Sequence, residues 1–245
     1  MKKVAAIIPS FNMPERTNAL TDYISHHCND VEIITVDNGS DHVHRLEHPQ
    51  VALGENVQTT AGWLMGLHYA DCLERKYKGK FSAYWFIITS AEFTDESKDP
   101  LAPMVAWLES HYDAVGCHPA LTADSTTSWE HMKAVCTGFR QTWMIDNICA
   151  LYKADWFNSI GRFDPTLEYA WGVDLETCWI ARSSGSSLWI CDDVKVKKVT
   201  DVGYTMNRMG MDAEQRRTLA RANIDEVFIE RYGPNWRKFM MEEEK

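Results

Sequence analysis

The sequence predicts one α/β domain in which helices flank a mixed, mainly parallel β-sheet. Apolar, β-branched runs open the segments 4–12 and 31–40 and stop at small polar residues, and a helical segment, 15–29, separates them. This order is typical of a strand–helix–strand unit whose two strands are parallel and buried on both faces. Strands and helices then alternate through the first half of the 245-residue chain, which is long enough to bury a substantial core.

The other elements are predicted from apolar periodicity and from turn residues. In the first half we expect a polar loop at 41–49, a helix at 59–77, a third buried strand at 84–89, a helix at 101–111 and a short strand at 113–117. In the second half we expect an irregular mobile loop over a site at 122–136, a strand at 144–153 and a short helix at 155–161. A loop at 169–172, a helix at 174–183, one or two strands at 188–199 and a last helix at 213–232 follow. The residues 242–245 are expected to fray.

Composition indicates an ordinary soluble protein. The chain is 45% hydrophobic and 24% charged, and it lacks both an apolar run of about 18 residues and a secretory signal. We therefore predict a cytoplasmic protein without an integral membrane segment. Its seven cysteines are scattered and form no C-x-x-C pair, which argues against a disulfide framework and a structural zinc site.

Charge argues against a broad nucleic-acid surface, because the formal net charge is −10. The net charge does not exclude a local basic groove, since lysines cluster at Lys195, Lys197 and Lys198. A second cluster holds three arginines, at positions 216, 217 and 221. We interpret this second cluster as the solvated face of a helix, which is what charge runs usually are.

The polar residues at the predicted strand ends have two interpretations. They are Ser10, Asn12, Asp37, Asn38 and Ser40. Ligands of open α/β sheets bind outside the carboxyl ends of the strands, where such side chains could hold a ribose or a base. Equally, Asp-Asn-Gly at 37–39 is ordinary turn chemistry.

The order of motifs resembles that of family-2 glycosyltransferases, nucleotide-sugar-dependent enzymes with the GT-A (Rossmann-like) fold. The resemblance covers residues 4 to about 205. It begins with Ile7–Asn12 and Arg16, followed by Val36–Ser40. It continues less closely with Asn56 and Gly66. By matching position, the resemblance implies that the donor nucleotide sugar is bound by Pro9, Ser10, Asn12, Arg16, Asp37, Asn38, Asn56, Ser90 and Lys198.

Trp63 lies where the family often has Asn. We interpret Trp63 as a core residue and not as a platform for a base, because large aromatic side chains on an apolar helical face usually pack inward.

The family places a D-x-D motif after the third buried strand to hold a divalent metal, whereas this chain has Ser90-Ala91-Glu92. Glu92 is the remaining carboxylate, and one such ligand can hold Mg²⁺ or Mn²⁺ when substrate phosphates and water complete the shell. Asp95 and Glu96 follow closely, although we expect them in a solvated loop. The late histidine of many relatives is also missing, and Lys198 or Thr200 takes its place. A lysine could neutralise the leaving diphosphate, so metal dependence stays open.

The segments 160–165 and 169–179 resemble the family's G-x-F-D and W-G-x-D-x-E catalytic motifs. The resemblance implies that Asp174 is the general base if the reaction inverts the anomeric centre, and that Glu176 supports catalysis. Inverting and retaining chemistry both stay open. The alternative is that Asp174 caps a helix and Glu176 stabilises its first turn. Acceptor-binding roles are implied for Trp143, Asp146, Trp171 and Gly172.

The resemblance implies a GT-A domain over 1–212, with a donor half at 1–117 and an acceptor half at 118–212, followed by a C-terminal helix and tail at 213–245. The implied function is transfer of a sugar from a UDP-linked or related nucleoside diphosphate sugar to an acceptor hydroxyl. That acceptor is a saccharide, a lipid-carried sugar or a hydroxymethylated base of viral DNA.

Two other functions stay open. One is a catalytically impaired module that binds nucleotide sugars, which the eroded D-x-D motif favours. The other is a nucleotidyltransferase, which would be expected to carry a Gly-rich, basic loop after the first strand, where this chain has Pro9-Ser10-Phe11-Asn12.

Overall fold

A nine-stranded sheet forms the centre of the computed structural model, which describes residues 3–94, 99–199 and 212–241. The strands are β1 (Val4–Ser10), β2 (Val31–Asp37), β3 (Val51–Ala52), β4 (Ala83–Ile87), β5 (Ala91–Phe93), β6 (Ala114–Leu121), β7 (Phe139–Thr142), β8 (Cys149–Lys153) and β9 (Ser187–Lys198). The helices are α1 (Pro14–His27), α2 (Gln58–Tyr77), α3 (Ala102–Ser110), α4 (Ala154–Ser159), α5 (Val173–Ser183), α6 (Ala213–Tyr232) and α7 (Trp236–Met240).

The strand order is β3-β2-β1-β4-β8-β6-β9-β5, and β7 pairs with β9. Strands β1, β2, β3 and β4 are mutually parallel, whereas β8 runs antiparallel to its neighbours β4 and β6. Strand β9 is parallel to β6 and antiparallel to β5 and β7. The sheet is therefore mixed and mainly parallel, as predicted.

Burial explains why the first strands were predictable. Every residue of β1 and of β4 is buried, because these strands lie in the middle of the sheet. A strand buried on both faces is apolar at every position instead of at alternate positions. Helix α6 contributes Ile224 and Phe228 to the same hydrophobic core, so the C-terminal helix is part of one domain. In the described part of the chain, no helix is long and apolar enough to cross a bilayer.

Several predicted elements differ from the structure. The predicted strand over 144–153 is wrong in its first half, because β8 begins only at Cys149. The predicted short strand at 113–117 is longer and reaches Leu121. The short elements β3, β5, β7 and α7 were not predicted. The residues 242–245 lie outside the described ranges.

Helix α2 packs closely on β1 through Gly66. A Cβ atom built on Gly66 would lie 2.4 Å from Cγ2 of Ile7 and 3.3 Å from Cγ2 of Val36. We expect Gly66→Ala to lower the free energy of unfolding, measured by urea denaturation. Overpacking costs about 1–3 kcal/mol, against a gain in helix propensity of at most about 1 kcal/mol.

Gly54→Ala is the matched control, because a Cβ there meets no atom within 4 Å. Its effect should stay within about 0.5 kcal/mol. Equal stability of the two variants would contradict the close packing of α2 on β1.

Candidate active site

Two adjoining cavities open beside the carboxyl ends of β1 and β4. The strand-end cavity, of about 190 Å³, is lined by residues that follow β1, β2 and β4, among them Ser10, Asn38 and Ser90. The Asp174 cavity, of about 320 Å³, is lined by residues of the loop before β8 and of the start of α5. Thr59, Ile88 and Arg216 line both cavities. The two cavities therefore form one cleft with these three residues at the junction.

Four of the residues implied to bind the donor line the strand-end cavity, namely Pro9, Ser10, Asn38 and Ser90. Lys198, at the end of β9, lines the Asp174 cavity instead. Arg16 is half-buried on α1 and lines neither cavity.

Asp37 and Asn12 hold the loops that follow β2 and β1. The two carboxylate oxygens of Asp37 accept hydrogen bonds from the backbone N–H groups of Ser40 and Leu46, both at 2.8 Å. Asn12 has a φ of 57° and donates its backbone N–H to Oγ of Ser40 at 2.9 Å. Its side-chain amide exchanges two hydrogen bonds with Asp41. Both residues are buried, so the turn chemistry expected for this motif is present.

Asn38 joins the end of β2 to the start of α2. Its Oδ1 accepts from the backbone N–H of Val57 at 3.1 Å, and its Nδ2 donates to the carbonyl of Gln58 at 3.0 Å. Oδ1 of Asn56 accepts from Nδ2 of Asn38 at 3.2 Å and from the Gln58 N–H at 2.8 Å. Asn56 therefore acts on the cavity through Asn38, since it lies outside the lining.

Asp174 lies in the first turn of α5, where Gly172 turns the chain into the helix. Gly172 has a φ of 89°, a left-handed conformation that favours glycine, and a Cβ there would lie 3.1 Å from Cγ1 of Ile224. The Asp174 side chain lines the cavity and is only 8% exposed.

Burial, together with the nearby charge of Asp146, raises the pKa of Asp174 to about 7. Backbone N–H groups of the helix start, including that of Leu175 at 2.9 Å from Oδ1, oppose this rise. Asp146 is half-buried in the same cavity, and its pKa is raised by burial and lowered by the charge of Lys198. The cavity thus holds two carboxyl groups that compete to ionise.

The Asp174 cavity also has hydrogen-bond donors without partners. Nε1 of Trp63 and Nδ2 of Asn147 are buried and bond to no group in the described part of the chain, and both residues line the cavity. A buried donor left unpaired costs about 1–3 kcal/mol, so such groups are usually satisfied by a ligand, an ion or a water. Trp63 also packs on Phe86 and Phe163 and is 1% exposed, which confirms it as a core residue.

Aromatic rings complete the wall of this cavity. They belong to Trp129, Tyr169 and Trp171, the last of which is 40% exposed. Trp129 and Ser128 come from the irregular segment 122–136, so this loop does lie over the cavity as expected.

Besides the donor residues described above, three residues implied by the resemblance to act in catalysis, acceptor binding or metal binding line neither cavity. Glu176 is buried and lines neither cavity, because its Oε1 accepts from Nη1 of Arg231 at 3.1 Å and from the hydroxyl of Tyr232 at 2.5 Å. Trp143 lines a separate groove and makes an edge contact with Trp129, a residue of the Asp174 cavity, at 5.6 Å between ring centroids.

Glu92 is exposed on β5, between two buried residues whose side chains point to the other face. It lines neither cavity.

Arg216 is the functional candidate that the sequence interpretation missed. Arg217 and Arg221 are exposed, as a solvated helix face requires, but Arg216 is half-buried and lines both cavities. For Arg216 the interpretation is therefore wrong. Only the packing of α6 across the cleft distinguishes Arg216 from its neighbours.

The described part of the cleft has no preformed three-ligand metal group, since no group of three His, Cys, Asp or Glu side chains that could hold a metal occurs within the described ranges. After β4, Ser90 lines the strand-end cavity but offers no carboxylate, and the exposed Glu92 lines neither cavity. Asp95, Glu96 and Thr200 lie outside the described residues.

No protein-family model and no curated protein matches this sequence. The structure is similar to that of GalNAc-T7 with UDP, GalNAc and Mn²⁺, with a TM-score of 0.68 at 12% identity over 97% of this chain. It is also similar to the mannosyltransferase PcManGT from Pyrobaculum calidifontis in complex with GDP-Man and Mn²⁺, with a TM-score of 0.57 at 14% identity over 98% of this chain. The chain spans 50% of the first of these proteins and 73% of the second.

Identities this low establish the fold and leave membership of family 2 a prediction. The mixed sheet, its flanking helices and these two likenesses agree with one another. The chain has the GT-A glycosyltransferase fold.

Proposed function

We propose that this protein is a glycosyltransferase that moves a sugar from a nucleoside diphosphate sugar to a hydroxyl group of a saccharide. The observation that carries the proposal is Asp174, a buried carboxyl group in the wall of one cavity, beside a second cavity at the strand ends. Both solved structures named above contain a nucleotide or a nucleotide sugar.

The donor is assigned to the strand-end cavity, with UDP-linked sugars as the first candidates. Ligands of open α/β sheets bind at the carboxyl ends of the strands, which is where this cavity lies. Ser10, Asn38 and Ser90 supply polar side chains to its wall. Asp37 and Asn12 contribute by fixing the loops that shape the wall.

The acceptor is assigned to the Asp174 cavity. In the reaction, the acceptor oxygen forms a bond to C1 of the sugar while the bond from C1 to the β-phosphate oxygen breaks. The bonding electron pair stays on that phosphate oxygen, and Asp174 accepts the proton of the acceptor hydroxyl. A carboxylate with a pKa near 7 is a far better base at neutral pH than an ordinary aspartate. A single displacement of this kind inverts the configuration at C1.

The lining favours a saccharide over the other acceptors considered. Sugars present many hydroxyl groups, which the carboxyl group of Asp146 in the wall of the cavity could bind. The rings of Trp129 and Trp171 offer flat apolar surfaces. A DNA acceptor is disfavoured, because a chain with a formal net charge of −10 lacks the overall positive charge that favours binding of a polyanion. Cytoplasmic location stays a prediction.

The test is a panel of UDP- and GDP-linked hexoses and pentoses, each with monosaccharide and disaccharide acceptors. We expect at least one pair to release nucleoside diphosphate faster with the acceptor than without it, and to yield the new glycoside by mass spectrometry. Binding of a nucleotide sugar without turnover would favour a binding module instead. Release of inorganic diphosphate from a nucleoside triphosphate and a sugar phosphate would favour a nucleotidyltransferase.

A further inference from the structure

Two basic side chains line the cleft without a close ion pair among the described residues, although the charge of Lys198 also acts on Asp146 in the same cavity. Arg216 and Lys198 form no ion pair or side-chain hydrogen bond with the residues at 3–94, 99–199 and 212–241. In contrast, their sequence neighbours are paired, Arg217 with Glu214 at 3.6 Å and Lys197 with Asp124 at 2.5 Å. The chain has 35 acidic and 25 basic residues, so a cation such as Arg216 that lines a cavity without a described acidic partner points to an anionic ligand.

Arg216 carries the stronger indication of the two. Its side chain is half-buried, and burial lowers its pKa, opposed only by Tyr169. Taking a guanidinium out of water without a partner is costly, and an anion that binds beside it offsets that cost.

The position of Arg216 identifies which part of a ligand it would meet. Arg216 lines both cavities and therefore lies at their junction. With a nucleoside in the strand-end cavity and the sugar beside Asp174, the group that spans this junction is the diphosphate. Lys198 lines the Asp174 cavity, and the backbone N–H of the next residue, Val199, donates to the carbonyl of Ser90 in the wall of the strand-end cavity at 2.9 Å.

We propose that Arg216, assisted by Lys198, binds the diphosphate of the donor and supplies the positive charge that a divalent metal would otherwise supply. This inference rests on the proposed function. When the bond from C1 to the β-phosphate oxygen breaks, the released electron pair adds negative charge to that phosphate. A guanidinium can form two parallel hydrogen bonds to phosphate oxygens and stabilises the added charge where it develops.

The test is calorimetric binding of UDP, GDP, inorganic diphosphate and uridine in the presence of EDTA. Inorganic diphosphate reports on the phosphate site whatever the base of the true donor. We expect Arg216→Gln to weaken binding of inorganic diphosphate and of the preferred nucleotide about 10- to 100-fold, the range for charge-assisted hydrogen bonds. Uridine binding should not change. Arg216→Lys should recover part of the affinity, since it keeps the charge but not the paired geometry.

Arg217→Gln is the matched control, because it removes the same charge from the neighbouring, exposed position on α6. Its affinity for diphosphate should stay within about twofold of wild type, as expected for a screened surface charge. The inference is overturned if Arg216→Gln and Arg217→Gln behave alike. It is also overturned if wild type binds none of the phosphate probes, or binds them only when Mn²⁺ replaces EDTA.

The failure of this inference and that of the proposed function can be distinguished. If diphosphate binding depends on Arg216 but the protein transfers no sugar, this inference is supported and the proposed transferase function is contradicted. If sugar transfer is unaffected by Arg216→Gln, the proposed transferase function is supported and this inference is contradicted.

Discussion

Replacing Asp174 with asparagine is expected to lower kcat for sugar transfer by about 10²- to 10⁴-fold, the usual contribution of a general base. Asparagine has nearly the same size and can still accept the hydrogen bond from the Leu175 N–H, but it cannot take the proton of the acceptor hydroxyl. The measurement is the initial rate of nucleoside diphosphate release at saturating donor and acceptor. Binding of the donor should be retained, because Asp174 lies in the other cavity.

Glu176→Gln is the matched control, since it makes the same chemical change two residues further along α5. Glu176 bonds to Arg231 and Tyr232 and lies outside the cleft. We therefore expect its kcat to stay within a few-fold of wild type while the free energy of unfolding falls by about 1–3 kcal/mol through weaker charge-assisted hydrogen bonds. If the folded Glu176→Gln protein has a kcat as low as that of Asp174→Asn, the assignment of Asp174 as the general base is contradicted.

Asp174 lines a cavity whereas Glu176 does not, although both belong to the same motif, and this difference shows what a motif can and cannot predict. Side chains two positions apart on a helix point to different sides, because each residue turns the helix by about 100°. Helix geometry alone therefore indicates that only one of the two carboxylates faces a given cavity. Which of the two carboxylates faces the cavity depends on the elements that pack around α5. The local sequence pattern does not specify these elements.

Local pattern predicted the central strands and the long helices well. Helix α6 has the predicted bounds, and β1 and β2 lie where continuous apolar runs placed them. The segment 144–148 misled the same reasoning, because Met144, Ile145 and Ile148 are buried without being paired in a strand. Apolar composition reports burial, whereas pairing depends on neighbours that are distant in sequence.

The cleft was predictable in outline and not in detail. Polar residues at strand ends located the strand-end cavity, yet Asp37 and Asn12 use their polar atoms on the loops themselves. Arg216 was hidden within a run of charged residues on a helix. Its partial burial arises from the packing of α6 across the cleft, a tertiary contact that has no signature in the spacing of arginines.

Asp174→Asn is also expected to stabilise the fold above neutral pH. Burial raises the pKa of the Asp174 carboxyl group in the folded protein to about 7, from an ordinary value of 3.8. The folded state therefore holds a proton that the unfolded state has lost between these two values, so stability falls as the pH rises from about 4 to about 7 and stays low above. That loss is on the order of 4 kcal/mol, and the pKa from which it follows already includes the opposing hydrogen bonds of the helix start.

Denaturation of both proteins in urea, at about pH 4 and about pH 8, measures this difference directly. Asparagine does not titrate, so the variant should be more stable than wild type by on the order of 4 kcal/mol at the higher pH and nearly equal to it at the lower one. The repulsion between Asp174 and Asp146 is one cause of the raised pKa and is therefore already part of this difference. A gain of the same size at both pH values would mean that packing, and not the suppressed ionisation of a buried carboxyl group, separates the two proteins. A variant that is less stable at the higher pH would show that the carboxylate has a partner that the cleft does not reveal. We expect the variant to be slower and more stable, because keeping a carboxyl group out of water costs stability and at the same time raises its pKa enough for it to act as a base near neutral pH.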